Sequence, residues 1–461
     1  MKKTKIVCTL GPASDSVKEI TELANAGMNV ARLNFSHGTY EHHAQIIKNL
    51  RKVEKLTDKK IGILQDLQGP KIRITKTPED GITVKPNQVI TFTTSQKYSK
   101  DTFPINYKGL PKDVKKNDTI LINDGLIETK ILSKTKTTIT VKVLTGGTIK
   151  KGNGLNFPDS DITLKTITEK DLKDLKFGLE QKVDFIALSF VKSKKDIEQL
   201  RKLTKNETAI IAKIERHEAL NHLIEIIKSA DGVMVARGDL GADVPPEKVP
   251  VIQKKIIHLA NKYGKPVITA TQVLQSMVKN PRPTRAEISD AANAVFDHTD
   301  AIMLSNESAV GKYPAKAANF LNKVAITVEK ELEKNQELIP TTSKLSNINA
   351  ACLSACEMAM ESDADAIIIY TESGYTARNI AKFRPTTKII TITPSPKAAR
   401  ELTLVWGINE VYIKKFDTKN IEKIEQIKNF INREKLLKKG QEAVIISNAS
   451  KKENLICALS V

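Results

Sequence analysis

Arg32, Asp66, Lys213, Glu215, Asp239 and Thr271 are residue types that handle phosphate and metal, and each falls at or just past the end of a short apolar run. A guanidinium or an ammonium suits a phosphate or carboxylate. Two carboxylates together with substrate oxygens are the usual way of holding Mg²⁺. Side chains alternate along a strand, so Arg32, Asn34 and Ser36 share one face of VARLNFS (30–36), while Leu33 and Phe35 point the other way. Lys213 and Glu215 share a face by the same rule. In VMVARGDLG (233–241) an apolar run ends in Arg237, Gly238 and Asp239, and Gly238 and Gly241 let backbone amides approach an anion closely. Other runs end in Thr271 and Gln272, and in Ser305, Asn306 and Glu307. Glu215 and Asp239, from neighbouring strands, can share one cation, while Arg32 and Lys213 bring positive charge to the same mouth. These parts match phosphoryl transfer, where positioning and charge neutralisation do most of the catalysis. The plainer reading is a buried ion-pair network among Arg32, Lys213, Glu215 and Asp239. Polar groups at six strand ends together weigh against it, since such burial is costly unless something polar is bound.

Positioning these groups takes a scaffold of parallel strands. Eight apolar runs alternate with amphipathic helical segments: 5–10, 30–36, 61–67, 184–190, 208–214, 232–236, 266–270 and 301–305. That rhythm predicts a (β/α)₈ TIM barrel, whose site lies at the C-terminal ends of its strands. Residues 1–69 and 158–335 are assigned to it. The rhythm breaks over 70–157, where alternating stretches such as IETKILSKTKTTITVKV and the turn signals NDG and GG predict a small inserted all-β (β-barrel) domain. Inserted after strand three, it could move as a lid. The polar stretch from about 334 to 349 reads as a linker. Beyond it, over 336–461, AIIIY, KIITIT and AVIISN with helices between them predict a C-terminal open α/β domain.

Composition narrows the function classes. The chain has 461 residues, 40% of them hydrophobic, and no apolar run near the length of a membrane helix. The N-terminal MKKTKIVCTLGPAS lacks the apolar core of a signal peptide, which predicts a cytoplasmic enzyme and no membrane partner. The net charge of +20 comes from 73 Lys and Arg against 53 Asp and Glu. It is spread along the chain without interleaved aromatics, so the expectation is no nucleic-acid partner. Cys352 and Cys356 sit one helical turn apart in an Ala-rich segment and read as packing residues rather than metal ligands.

NVARLNFSHG (29–38), DLQGPKIR (66–73), AKIERHEA (212–219), VMVARGDLG and PRPTRAEISDAANAVFDHTDAIMLSNESA (281–309), in this order over nearly the whole chain, resemble the pyruvate kinase family. The resemblance implies a Mg²⁺-dependent (or Mn²⁺-dependent) transfer of phosphate from phosphoenolpyruvate to ADP, giving pyruvate and ATP as the last step of glycolysis. It implies that Arg32 and Lys213 hold the phosphoryl group, and that Glu215 and Asp239 ligate Mg²⁺. Amides near Gly238 and Asp239, with Thr271, would bind the substrate carboxylate. Asn34, Ser36 and Asp66 match the monovalent-cation ligands, and Asn34, His37 and Arg73 would lie near the nucleotide. Thr271 and Ser305, acting through water, are the candidate proton donors to the enolate. The resemblance also implies a homotetramer. It further implies an allosteric site for a sugar phosphate or nucleotide built on Thr371, Ser373 and Thr376.

The chain departs from the family pattern in places. Much of the family carries Thr, Lys and Glu at the positions of Leu67, Gln68 and Lys71 and depends on K⁺. Lys71 would supply an internal ammonium in place of that ion, so the expectation is that K⁺ is not required. Asn306 and Ser308 stand where Gly and Thr are common, and Arg216 where Asn is common; none of these removes a catalytic group. In the inserted domain Asp124 is a weaker nucleotide-side candidate, and either Lys150 or Lys151 takes the place of the family lysine. Two other readings compete: another phosphoenolpyruvate-using barrel, which would lack both extra domains, and a basic nucleic-acid-binding protein.

Overall fold

The computed structural model describes residues 2–96, 98–334, 338, 345–416, 420–450 and 453–460. Eight parallel strands close into a barrel: β1 (Lys5–Thr9), β2 (Val30–Asn34), β3 (Gly62–Asp66), β4 (Phe185–Leu188), β5 (Ala209–Ile214), β6 (Gly232–Ala236), β7 (Val267–Ala270) and β8 (Ala301–Leu304). Each pairs with its neighbours in chain order and β8 closes on β1. The expected barrel is present, with all eight runs in place.

Alternation along each strand separates two cores. Ala31, Leu33, Ile63, Ile210, Ala212, Ile214, Val233 and Val235 face the surrounding helices. Val30, Leu64, Ala187, Ala209, Ile211, Met234 and Ile268 fill the lumen. On β5 the lumen series Ala209, Ile211 continues to Lys213, and on β2 Val30 continues to Arg32, so period-two geometry delivers both cations inward at the C-terminal rim. The N-terminal end of the lumen is plugged by Leu404 from the C-terminal unit. Gly62, at that end of β3, permits the approach: a Cβ there would lie 2.5 Å from Thr403 Oγ1 and 2.9 Å from Phe185.

Between β3 and β4 the chain forms a mainly β unit with a six-stranded sheet, a two-stranded sheet, one helical turn at Leu110–Asp113 and its own core around Phe92, Phe103 and Ile120. The C-terminal unit is a five-stranded sheet of β9 (Ala366–Tyr370), β10 (Lys388–Thr393), β11 (Ile408–Ile413), β12 (Glu442–Ser450) and β13 (Glu453–Ser460), ordered β11-β10-β9-β12-β13 with β13 antiparallel. The sequence reading named β9, β10 and β12 only; β11 and β13 are additions. The stretch read as a linker falls largely outside the described residues. All four cysteines are free, with Cys352 and Cys356 buried on one helix, as their packing reading requires.

The barrel and the C-terminal unit are tied by buried polar contacts. Arg384 reaches Asp300 with both terminal nitrogens, at 3.1 Å each. Lys5 Nζ donates to the Ile408 carbonyl at 2.5 Å and to Asn409 Oδ1 at 2.6 Å.

Candidate active site

The strand ends of β2, β3, β5 and β6 converge as their register demands, with Asn34 beside Asp66 and Lys213 beside Met234. Asp66 is fully buried and takes Arg32 Nε on one oxygen at 2.7 Å and Lys213 Nζ on the other at 3.2 Å. Lys213 Nζ also meets Glu215 Oε1 at 2.9 Å and donates to Ser189 Oγ at 2.7 Å. The ammonium thus has three oxygens within 3.2 Å, two of them from carboxylates. Arg32 additionally donates to Thr9 Oγ1 at 2.9 Å.

The charge states follow from burial and neighbours. Burial pushes the Asp66 carboxyl up, but Lys213 and Arg32 outweigh it, and it ends below the usual carboxylate range. Burial pulls Lys213 down; Asp66 and Glu215 outweigh it and hold it above the usual lysine range. Glu215 is raised, by burial first and then by the charge of Asp239, against the pull of Lys213. Its Oε2 accepts the Phe190 amide at 2.7 Å, whereas among the described residues its buried Oε1 has no hydrogen-bond partner beyond the ion contact with Lys213.

Strand six answers why a guanidinium precedes the acid. Residues Arg237–Gly241 form a single helical turn, α1. Arg237 turns away from the mouth. It donates to the Ala270 carbonyl at 3.2 Å and the Thr271 carbonyl at 2.7 Å, and grips both oxygens of Asp290 at 2.7 and 2.8 Å from helix α2 (Arg285–Phe296). It braces a turn in which Thr271 and Gln272 are both left-handed, with φ of 66° and 51°, a costly conformation for a β-branched residue. That turn aims Thr271 Oγ1 at the Gly238 amide, 2.8 Å away, so in this state the Gly238 N–H is already engaged.

Asp239 projects into the mouth from α1, and its Oδ1 meets Lys71 Nζ at 2.6 Å. Asp124 lies 3.8 Å from the same ammonium. The sequence reading placed Lys71 as a substitute cation at the Asn34, Ser36 and Asp66 site; here Asp66 is held by Arg32 and Lys213, while the Lys71 ion pairs are with Asp239 and Asp124. Asn34 Oδ1 accepts the Ser36 amide at 3.1 Å, and both residues are half-buried beside the cluster. His37 is exposed. Arg73 reaches the inserted unit, donating to the Gly152 carbonyl at 2.8 Å. Lys150 and Lys151 are engaged there through their backbone amides, by Asn153 and Thr77.

At the end of β8, Ser305 Oγ is buried and has no hydrogen-bond partner among the described residues. Its amide donates to Glu307 Oε2 at 2.8 Å, while Glu307 Oε1 takes the Leu274 amide at 3.0 Å, so Glu307 ties the β7 and β8 loops together. The three hydroxyl residues of the C-terminal unit are less open than the sequence suggests. Thr371 and Thr376 are buried, at 3% and 1% exposure, and only Ser373 faces solvent ahead of the short helix Tyr375–Ala381.

Sequence reasoning missed Ser189, the third acceptor for Lys213, and Phe190, which presents its amide to Glu215 from a left-handed backbone with φ of 56°. Ser189 was findable, since it follows β4 as polar residues follow the other strands. The Phe190 conformation carries no sequence signal.

A family model described as pyruvate kinase, barrel domain, matches residues 1–318, and one described as pyruvate kinase, alpha/beta domain, matches residues 349–457. The chain is similar to the pyruvate kinases of Staphylococcus epidermidis and of Staphylococcus aureus strain USA300, each 45% identical over 421 residues, covering 89% of this chain and 72% of the relative. It is also similar to the crystal structure of a pyruvate kinase from Cryptosporidium parvum, at 36% identity and a TM-score of 0.90, covering 100% of this chain and 96% of that one.

Proposed function

The chain belongs to the pyruvate kinase family and is a phosphotransferase acting on phosphoenolpyruvate and ADP; on that premise we propose which residues carry the reaction, with Mg²⁺ as the working metal and K⁺ not required. The observation that carries this reading is the Lys213 ammonium, buried and shared among Asp66, Glu215 and Ser189 at the barrel rim. A cation fixed this way is preorganised for charge that develops during transfer.

Arg32, with Nε on Asp66 and Nη1 on Thr9, directs its guanidinium to the mouth as the clamp for the phosphoryl group. Lys213 neutralises charge on the transferring group as the bond to the enol oxygen breaks and the bond to the ADP oxygen forms. Glu215 and Asp239 are the residues that would hold a divalent cation. Glu215 Oε1, buried and, among the described residues, without a hydrogen-bond partner besides its ion contact with Lys213, fits that assignment. Among the described residues no group of three His, Cys, Asp or Glu side chains could hold a metal, which leaves substrate oxygens and water as the remaining ligands, the pattern Mg²⁺ favours. When bound, the ion would neutralise phosphate and enolate oxygens.

Thr271, braced by Arg237, orients the substrate carboxylate together with the amides of Gly238 and Asp239. Transfer leaves the enolate of pyruvate, which takes one proton at its methylene carbon. Thr271 or Ser305, through water, supplies it, and the unpartnered Ser305 Oγ suits that relay. Asn34, His37 and Arg73 flank the nucleotide, and the unit at 70–157 closes over it as a lid. The unit at 336–461 serves regulation and assembly of a homotetramer, with Ser373, Thr371 and Thr376 at its effector site. The enzyme works in glycolysis, in the cytoplasm; no helix of the described residues is long and apolar enough to cross a membrane.

The test is pyruvate formation from phosphoenolpyruvate and ADP with Mg²⁺, run with and without K⁺. Equal turnover supports the whole reading. Turnover only with K⁺ removes the internal-cation role of Lys71 and leaves the enzyme. No turnover from folded protein, even with sugar phosphates and AMP added, refutes the assignment of residues.

A further inference from the structure

We propose that Lys71 is an internal stand-in for the divalent cation: its ammonium occupies Asp239 until metal displaces it, so metal affinity is tied to the position of the inserted β-unit. This rests on the reading of Glu215 and Asp239 as the metal carboxylates.

Lys71 lies on the crossing from β3 into the inserted unit, five residues beyond Asp66. A lysine on a crossing would ordinarily extend into water, yet this side chain is only 17% exposed. The inserted unit grips it at three points. Asn106 Nδ2 donates to the Lys71 carbonyl at 3.1 Å. Asp124 lies 3.8 Å from the ammonium. The aliphatic stem runs over Gly154, where an added Cβ would sit 2.7 Å from Lys71 Cε. The far end of the side chain then leaves that unit and meets Asp239 of the barrel at 2.6 Å. A shift of the inserted unit therefore moves the ammonium relative to Asp239.

Charge balance gives the exchange its direction. At the rim Arg32, Lys213 and Lys71 face Asp66, Glu215 and Asp239, three positive groups against three negative, with the exposed Asp124 a further carboxylate 3.8 Å from Lys71. Lys213 serves Asp66 and Glu215, so Lys71 is the cation that pairs with Asp239. A divalent ion at Asp239 Oδ1 needs the space the ammonium fills, and a cluster that kept both would gain two net positive charges in a partly buried setting. Metal and lysine therefore compete for one carboxylate, and each weakens the other by the same factor.

The experiment is Mn²⁺ binding to the substrate-free, full-length protein, read from the EPR signal of free Mn²⁺. Wild type is compared with Lys71→Met, Gly154→Ala, their double variant and Asp239→Asn. Lys71→Met is expected to tighten Mn²⁺ binding by at least about fivefold, the lower end of ordinary coupling. Gly154→Ala, which crowds the lysine stem without removing any charge, is expected to tighten it as well and to add nothing in the Lys71→Met background. Unchanged or weaker binding in Lys71→Met, with Asp239→Asn still abolishing it, overturns the stand-in role and leaves the metal assignment intact. Binding that ignores Asp239→Asn overturns both.

Discussion

Replacing Arg237 by Lys should cost more than a conserved charge suggests. The guanidinium serves the Ala270 and Thr271 carbonyls and both oxygens of Asp290 at once. A lysine presents its donors from one point and cannot span acceptors set around a planar guanidinium. The Asp290 pair is the smaller part, because that side chain is 38% exposed and solvent screens it, which puts it at about 1 kcal/mol or less. The two carbonyl bonds come from a charged donor on a side chain 11% exposed and are worth roughly 1.5 kcal/mol or more each. Their loss also frees Thr271 and Gln272 from left-handed geometry that costs about 1 kcal/mol or more per residue. Relieved strain offsets about 2 of the roughly 3–4 kcal/mol of lost contacts, so the expected outcome is a net stability loss of about 1–2 kcal/mol and a turn that relaxes, withdrawing Thr271 Oγ1 from the Gly238 amide. A displacement near 1 Å at a positioning group costs about a hundredfold, so kcat/KM for phosphoenolpyruvate should fall by about that factor, with KM for ADP little changed. The assay is steady-state pyruvate formation with each substrate varied, beside urea unfolding followed by circular dichroism. Asp290→Ala is the control and should lose about 1 kcal/mol at most. If Arg237→Lys is no worse than Asp290→Ala in both assays, the bracing argument is wrong.

Lys213→Met leaves Asp66 and Glu215 facing each other without their shared cation; it should destabilise the barrel by roughly 3–5 kcal/mol and cut turnover about a thousandfold, and near-normal turnover at saturating substrate would rule out its transfer role. Lys5 is pushed down to about 7, by burial first and then by the charge of Lys2. Between that value and the ordinary lysine value the unfolded chain binds the extra proton, so stability rises with pH across this window, by up to about 1.4 kcal/mol per unit. Lys5→Met should flatten that rise in thermal melts taken from neutral to alkaline pH; equal slopes in the two proteins would contradict it. Gly62→Ala puts a Cβ 2.5 Å from Thr403 Oγ1 and should cost about 1–3 kcal/mol, a loss that Thr403→Ala should partly restore. The absence of any rescue would mean that Phe185, not the C-terminal unit, limits the space.

Period-two alternation made the barrel site legible. Val30–Arg32–Asn34 and Ile211–Lys213–Glu215 keep one face each, and the structure sends those faces into the lumen and its rim, so residue type and spacing sufficed. Phe190, Thr271 and Gln272 were opaque because left-handed backbone is imposed on them from outside, by Glu215 through the Phe190 amide and by Arg237 through the Thr271 carbonyl. Nothing in a bulky residue's identity announces a positive φ. β11 was missed because INEVYI interrupts its apolar pattern with Asn409 and Glu410. Asn409 is spent on the barrel: Lys5 donates to its Oδ1, and its Nδ2 donates to the Lys2 carbonyl.

The partner of Lys71 in this structure is one that linear reading does not supply, for a physical reason. Family resemblance set the charge of Lys71 in the monovalent-cation site of Asn34, Ser36 and Asp66. An ammonium on a four-carbon stem goes to whichever carboxylate remains unneutralised. Arg32 and Lys213 have already taken Asp66, and Lys213 has taken Glu215. Asp239 is left, and it is 168 residues away in the chain. Which carboxylate remains is decided by the whole set of partners, so it is a property of the assembled rim. For the same reason Lys71 is the cation of this site whose pairing changes when a further positive charge arrives.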